Sequence, residues 1–276
     1  KVVDLLPLQG LASLKHLRLA YTNVTDISPL GMLHGLTELH IEHSQVAEAS
    51  AMGTASSLRQ IFADYSQFAS LDGLGRAPSL TQIHANGTPL SKEAAMRFMR
   101  LYPSKMVVFQ SLALTNWWNN LNTNWQSYFR RMMPRSPVLD PIQLQRLVNI
   151  DSLNLSGKPA LADLQPLGEF IGLRSLHASG IPVTSLAPIR NLLELEELDL
   201  SNTPLNTIAS IQEMPRLRRL NLAYTRVSDL RALSGQGSLE WLNITGTHVG
   251  SLNSLHQALE LKLVLADSTS IGLPEA

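Results

Sequence analysis

Apolar residues recur along this chain at intervals of 22 residues. The segment that starts at Leu14 has apolar side chains at Leu17, Leu19, Val24 and Ile27, and later segments have apolar or small side chains at the matching positions. Two series of segment starts follow this spacing, apart from a single step of 23 after Ile150: Leu14, Leu36, Leu58 and Leu80, then Ile150, Leu173, Leu195, Leu217, Leu239 and Leu261. Self-similarity at a fixed period of this length predicts a repeat solenoid.

The pattern inside one repeat predicts a short strand followed by a compact return. Leu17 and Leu19 alternate with polar residues, which points one face of a strand inward, while Val24 and Ile27 fold the return segment onto that strand. No single repeat can bury its own leucines, so stacked neighbours must supply the core. The sequence therefore predicts an α/β repeat fold, a right-handed solenoid with one parallel, concave sheet of about eleven strands and an internal helical interruption. The pattern extends to the first residue, so we expect the array to begin before Lys1.

A hydroxyl residue follows the strand at the same place in most repeats. The residues at this position are Thr22, Ser44, Ser66, Thr88, Thr203, Thr225, Thr247 and Thr269. A buried hydroxyl can donate a hydrogen bond to one turn and accept a hydrogen bond from the next. Lys158 and Ile181 break this ladder, and one residue is added between Lys158 and Ala162. We therefore expect irregular geometry where the second array starts.

These repeats resemble the short bacterial leucine-rich repeat of the internalin type, with the pattern LxxLxxLxLxxNxIxDIxPL, and still more its threonine-bearing variant. The segments LEELDLSNTPL and LRRLNLAYTRVSDL carry the resemblance. It covers all but about 50 residues of the chain. The resemblance implies a leucine-rich-repeat fold and a protein-interaction module.

The 22-residue period is lost between the two arrays. Ser91 and the segment KEAAMRFMRLY predict a capped helix, and the run from Lys105 to Phe109 predicts one further strand. Asp140 and Pro141 predict the N-cap and the first residue of a short helix that leads into the second array. We expect an N-terminal leucine-rich-repeat array over 1–109, a helical, tryptophan-rich interruption over 110–143 and a C-terminal array over 144–276.

The interruption contains a cluster of aromatic residues. The spacing of Trp118, Leu121, Trp125 and Phe129 predicts a single amphipathic helix from about Asn116 to Met133. Its aromatic face either packs over the edge of the first array or forms an exposed surface that binds a partner. The end of this predicted helix is basic and carries Arg130, Arg131 and Arg135.

Composition narrows the range of functions. The chain has 22 Lys and Arg residues and 22 Asp and Glu residues, so no net charge attracts nucleic acid or an anionic membrane. It has no cysteine, which excludes disulfides and cysteine nucleophiles, and no apolar run long enough to cross a bilayer. The sequence has no phosphate-binding glycine loop and no nucleophile elbow, and His40 with His43 lacks the spacing of a metal site. We therefore expect no catalytic residue, no metal and no cofactor.

The exposed strand positions of a solenoid line up as columns and form its usual docking face. In the first array these columns are rich in histidine and aromatic side chains, which are common at interfaces. The candidate partner-binding residues are His16, Arg18, Tyr21, His40, His43, Phe62, Tyr65 and His84, with Trp241 from the second array.

The sequence thus favours a non-catalytic protein–protein interaction module. We expect it to bind a protein or other macromolecule on its concave face, with no nucleic acid as ligand and no insertion into a membrane. The alternative hypothesis is the recognition domain of a larger bacterial effector or defence-sensor enzyme whose catalytic part lies outside this chain. The sequence is compatible with surface, secreted and cytoplasmic locations, and it defines no oligomeric state.

Overall fold

Each repeat contributes one short strand, as the 22-residue period predicts. The computed structural model describes residues 3–134 and 139–272, and every strand within these ranges is three residues long. The first five strands are β1 His16–Arg18, β2 Glu38–His40, β3 Gln60–Phe62, β4 Gln82–His84 and β5 Met106–Val108. The other six are β6 Ser152–Asn154, β7 Ser175–His177, β8 Glu197–Asp199, β9 Arg219–Asn221, β10 Trp241–Asn243 and β11 Leu263–Leu265.

All strand pairs are parallel, and the strands form two sheets. The first sheet has the order β1-β2-β3-β4-β5 and the second the order β11-β10-β9-β8-β7-β6. Inward residues pair with their equivalents one repeat away, as Leu17 pairs with Leu39 and Leu198 with Leu220. The leucine-rich-repeat fold and its eleven strands are confirmed in the described ranges, but the expectation of one sheet is wrong. After β5 the chain enters helices instead of another repeat, so strand stacking starts anew at β6.

The segments that return from one strand to the next contain short 3₁₀ helices. Proline occupies the first or second position in several of them, where a missing N–H group breaks no hydrogen bond. Their bounds are Leu6–Leu8, Ser28–Met32, Ser50–Thr54, Leu74–Arg76, Pro159–Leu161, Gln165–Glu169, Ala187–Ile189, Ala209–Glu213, Arg231–Leu233 and Asn253–Leu255.

The hydroxyl ladder closes turns within repeats and does not join neighbouring repeats. The Thr22 hydroxyl donates to the carbonyl oxygen of Leu19 at 2.6 Å, and the Ser44 hydroxyl donates to that of Ile41 at 2.7 Å. The same bond to the residue three positions upstream forms at the other hydroxyl positions. The Ser44 hydroxyl also accepts from the backbone N–H of Val46 at 3.3 Å. The expected bond to the next turn is therefore wrong, because every hydroxyl donates within its own repeat, and Ser44, Ser66 and Thr88 also accept within theirs.

Four α-helices lie between β4 and β6: α1 Lys92–Leu101, α2 Ser111–Asn120, α3 Thr123–Arg130 and α4 Pro141–Val148. Ser91 caps α1 by accepting from the N–H of Ala94 at 3.1 Å, as predicted. The expectation of a single helix from about Asn116 to Met133 is wrong. The Asn122 side chain accepts from the N–H of Trp125 at 3.1 Å, so it caps a new helix where continuous helix was expected. None of these helices in the described ranges is long and apolar enough to cross a membrane.

The chain divides into two compact units, each with its own sheet. The first unit comprises Lys1–Asn116 and Pro137–Arg146, and the second comprises Trp117–Ser136 and Leu147–Ala276. Stacked inward residues form the core of each unit, so that Leu39 and Ile61 in the first and Leu220 in the second have no exposed surface.

The aromatic residues of the interruption are core residues of the second unit. Trp125 and Phe129 are fully buried, and Phe129 stacks on Phe170 with ring centroids 5.4 Å apart. The indole N–H of Trp125 donates to the carbonyl of Asp163 at 3.0 Å, and that of Trp117 donates to Pro166 at 3.1 Å. These rings therefore cover the first repeat of the second array, and the buried rings of Trp125 and Phe129 are not an exposed docking surface.

Candidate binding surface

In the described ranges, every strand except β5 is followed by a left-handed backbone residue directly before the ladder position. These residues are Tyr21, His43, Tyr65, Gly87, Gly157, Gly180, Asn202, Tyr224, Gly246 and Ser268. The φ angles of Tyr21, His43 and Tyr65 are 57°, 53° and 58°, a region that costs a residue with a Cβ atom about 1 kcal/mol. Four repeats use glycine at this position, which has no such cost. Three consecutive repeats of the first unit therefore hold bulky rings where backbone geometry favours glycine.

These three rings stack on one another, and we call Tyr21, His43 and Tyr65 the outer ring row. The ring centroids of Tyr21 and His43 are 4.3 Å apart, and those of His43 and Tyr65 are 5.1 Å apart. Tyr21 is 72% exposed and Tyr65 60% exposed. Within the described ranges the polar edges of the three rings form no hydrogen bond. The row therefore presents unpaired hydroxyl and imidazole groups to solvent.

The outer ring row ends at Gly87 for a steric reason. The ring of Tyr65 lies over this glycine, and a Cβ atom at Gly87 would be 2.5 Å from Cδ1 of Tyr65. Such a contact is too short for carbon atoms, so a residue with a side chain would push the tyrosine ring away. Gly87 thus supplies both the left-handed backbone and the space under Tyr65.

A second row of stacked rings, the inner ring row, runs along the sheet itself. His40, Phe62 and His84 are the last residues of β2, β3 and β4, and the parallel register places them side by side. The ring centroids are 4.4 Å apart between His40 and Phe62 and 4.7 Å apart between Phe62 and His84. Both histidines thus contact the faces of one phenylalanine, and the row is half-buried.

Carboxylates and amides fix the histidines of this surface. Nδ1 of His16 lies 2.9 Å from a carboxylate oxygen of Glu38, and Nδ1 of His40 lies 3.0 Å from one of Glu42. The amide nitrogen of Gln82 lies 2.7 Å from Nε2 of His84. Burial lowers the pKa of His84, and the nearby carboxylates, that of Asp64 first, oppose this effect. The inner-row histidines therefore contact polar side chains of this chain at hydrogen-bond distance, whereas the polar edges of the outer ring row form no hydrogen bond in the described ranges.

The structure gathers eight of the nine candidate residues in the first unit. His16 and Arg18 lie on β1, beside Glu38 and His40 of β2, and the remaining six form the two ring rows. Trp241 lies in the second unit, where the Arg219 guanidinium carbon is 5.0 Å from its ring centroid. Arg219 also contacts Glu197 with an N–O distance of 3.5 Å.

The second unit also has a column of alternating charge that was not predicted from the sequence. Arg174 contacts Glu196 at 3.7 Å, Glu240 pairs with Arg218, and Lys262 contacts Glu240 at 2.8 Å. The bonds from Lys262 and Arg218 lower the pKa of Glu240. Successive members are 22 residues apart, so the alternation of sign at the repeat period was a signal that could have revealed the column. Among the described residues, no group of three or more His, Asp or Glu side chains could hold a metal ion.

Comparison with solved structures finds repeat proteins of low sequence identity. An internalin (inlF) from Listeria monocytogenes is 19% identical, with a TM-score of 0.42, over 98% of this chain, which spans 65% of the length of that protein. A leucine-rich-repeat protein from Leptospira interrogans is 14% identical, with a TM-score of 0.40, over 95% of this chain and 74% of that one. The plant peptide hormone receptor RGFR1, in complex with RGF2, is 17% identical, with a TM-score of 0.38, over 97% of this chain and 42% of that one. No protein-family model and no curated protein matches the chain.

Proposed function

We propose that this chain is a non-catalytic interaction module that binds a polypeptide segment of a partner protein along the two ring rows of the first unit. The outer ring row supports this proposal most directly. Glycine at these positions would avoid the backbone cost of the left-handed region, and Tyr21 and Tyr65 leave most of their surface exposed, so burial of their rings offsets little of that cost. A binding role accounts for rings at three consecutive positions that disfavour them.

The stacking geometry favours a polypeptide over a sugar or a nucleic acid base. Sugars and bases bind aromatic side chains through the faces of the rings. The faces of His43 and Phe62 are covered by their stacked neighbours on both sides. In the outer ring row the polar edges of Tyr21, His43 and Tyr65 remain accessible, and they suit the N–H and C=O groups of a peptide backbone.

Mutual stacking also prepares this surface for binding. Long, mobile side chains lose conformational entropy when a partner orders them, which weakens association. The rings of Tyr21, His43 and Tyr65 already restrict one another before any partner arrives. Tyrosine further combines a large apolar body with a polar tip, the combination found at the centres of protein interfaces.

Peptide display can test the proposal with a closely matched control. Random peptides on phage are selected against the full chain, and enriched peptides are then measured against the variants Tyr65→Gly and Tyr224→Gly. Both tyrosines have left-handed backbone, both are about 60% exposed, and both cover a glycine of the next repeat. Only Tyr65 belongs to a row of stacked rings.

We expect Tyr65→Gly to weaken peptide binding at least about tenfold, the loss that one interface hot spot causes, and Tyr224→Gly to leave it unchanged. Neither variant should unfold, because glycine relieves the backbone strain at both sites. The double variant His40→Ala with Phe62→Ala should also lose binding while it remains folded. Selection of no peptide, or equal binding by all variants, would remove the ring rows from the function of this protein.

A further inference from the structure

The second unit contains a basic cleft that plays no part in the ring rows. It lies between α3 and the 3₁₀ helix Pro159–Leu161 and has a volume of about 190 Å³. Its lining residues are Asn124, Ser127, Tyr128, Arg131, Lys158, Ala160 and Leu161. Two of them are cationic and none is acidic. Asn124 and Ser127 can donate hydrogen bonds, whereas the Tyr128 hydroxyl already donates to the carbonyl of Asn154 at 2.7 Å. The cleft thus offers positive charge and donors without a competing carboxylate.

Lys158 is the residue that replaces the ladder hydroxyl at the start of the second array. Its ammonium donates to the carbonyl oxygens of Asn154 at 3.1 Å and Ser156 at 3.4 Å. It also lies 5.6 Å from the centroid of the Tyr128 ring. An ammonium group has three N–H donors, so one is left for a ligand. Within the described ranges no carboxylate pairs with Lys158, so its charge is not neutralised locally.

Arg131 provides the second charge of the cleft from the end of α3. Its backbone N–H closes the helix by donating to the carbonyls of Tyr128 and Phe129, which fixes the start of the side chain. The side chain is exposed and, in the part of the chain that the structure describes, forms no ion pair. Asn124 and Ser127 precede Arg131 by seven and four residues, a spacing that places all three on one face of the helix. Arg135, the third arginine of this basic segment, lies outside the described residues.

We propose that this cleft binds a phosphate group, as the free ion or as a phosphate monoester. A guanidinium group offers paired donors that match two phosphate oxygens, and an ammonium group adds a compact charge. Arg131, Ser127 and Asn124 line the cleft from α3, and Lys158 lines it from the side of the 3₁₀ helix Pro159–Leu161. The proposal explains why a cationic residue replaces the ladder hydroxyl in a repeat that packs against α3.

An NMR titration of the full chain tests this site. The backbone amide signals of Ser127 and Gly157 are followed while inorganic phosphate is added at about pH 7.5, where a phosphate group is largely dianionic. Sodium chloride keeps the ionic strength constant, and O-phosphoserine is titrated in parallel.

Three variants accompany the titration. Arg131→Gln and Lys158→Thr remove the charges of the cleft one at a time. Lys158→Thr restores the hydroxyl of the other repeats, so this variant should fold. Arg190→Gln, an exposed arginine of the same unit, is the control.

We expect saturable shifts with phosphate in the unchanged chain and in Arg190→Gln. Arg131→Gln and Lys158→Thr should each weaken binding about tenfold, the loss that one charge-assisted hydrogen bond causes. Tighter binding of O-phosphoserine than of inorganic phosphate would identify a monoester as the ligand, and the reverse would identify the free ion. Shifts that do not saturate with either compound, or that are the same in Arg131→Gln, would overturn the proposal. The result is independent of peptide binding by the ring rows.

Discussion

Removal of the Trp125 side chain should destabilise the second unit strongly. This ring has no exposed surface, and it packs against Phe129 with ring centroids 5.0 Å apart and against Tyr128 at 6.0 Å. Its indole N–H donates to the carbonyl of Asp163 at 3.0 Å in a partly buried hydrogen bond. Trp125→Ala therefore leaves a cavity the size of an indole ring and a carbonyl without its partner.

Two contributions set the magnitude of this loss. Truncation of a buried aromatic residue to alanine typically costs about 3 to 5 kcal/mol when the site cannot collapse, and a partly buried carbonyl that loses its donor costs up to about 1 kcal/mol. Because the unpaired carbonyl of Asp163 can reach water through the new cavity, we expect about 4 kcal/mol in total. Trp125→Phe keeps most of the ring and loses the N–H group, so it should cost about 1 to 2 kcal/mol.

Urea unfolding monitored by far-ultraviolet circular dichroism measures these changes as free energies of unfolding. Trp241→Ala is the matched control, because this tryptophan is half-exposed on the sheet and should cost less than about 1 kcal/mol. The curve of Trp125→Ala is expected to separate into two transitions, since only the second unit loses core contacts. A loss below about 1 kcal/mol would refute the conclusion that the Trp125 side chain is a core element of this unit.

Three further predictions concern single residues. Leu198→Asp should lower the free energy of unfolding by more than about 3 kcal/mol, because it buries an unpaired carboxylate, and an unchanged melting temperature would show that the strand assignment is wrong. Lys105→Met should cost about 2 kcal/mol in urea unfolding, because the buried ammonium donates to the carbonyls of Ala77 at 2.6 Å and Leu80 at 3.2 Å; a cost near zero would contradict this role. Burial lowers the pKa of His84, so the unfolded chain takes up the proton more readily and His84 reduces stability as the pH falls below its ordinary pKa of 6.5. The free energy of unfolding of His84→Gln should therefore fall less than that of the unchanged chain between about pH 7 and about pH 5. The same dependence of this free energy on pH in both chains would argue against the pKa shift.

The repeat period was sufficient to predict ten of the described strands, their parallel pairing and their inward residues, because stacked leucines repeat at a fixed spacing, and the apolar run from Lys105 to Phe109 predicted β5. The break between α2 and α3 was missed because the aromatic spacing continues through it, while Asn122 acts locally as a cap. The columns of histidine and aromatic residues on the first sheet could be predicted from the repeat period. The stacking of their rings could not, because it depends on side-chain and backbone torsion angles. One signal was present in the sequence. Glycine occupies the position of Tyr21 and Tyr65 in four other repeats, which indicates left-handed backbone there.

The ammonium contacts of Lys158 could not be derived from the sequence. The interruption of the hydroxyl ladder was visible, yet the pattern does not show that a long side chain reaches the carbonyls of Asn154 and Ser156. The neighbouring wall of the cleft comes from α3, about 30 residues earlier in the chain, and no local pattern predicts contacts over such a distance.

The column of alternating charge restricts how the second array can change its length during evolution. Repeat proteins commonly gain or lose whole repeats by unequal recombination, and each such event shifts later residues by one period. Loss of the repeat that carries Glu196 would place Arg174 beside Arg218, and like charges on neighbouring strands are destabilising. Loss of two successive repeats would place Arg174 beside Glu240 and preserve the alternation. Duplications and deletions in this part of the array should therefore be tolerated more readily in pairs, so that related chains differ there by multiples of two repeats.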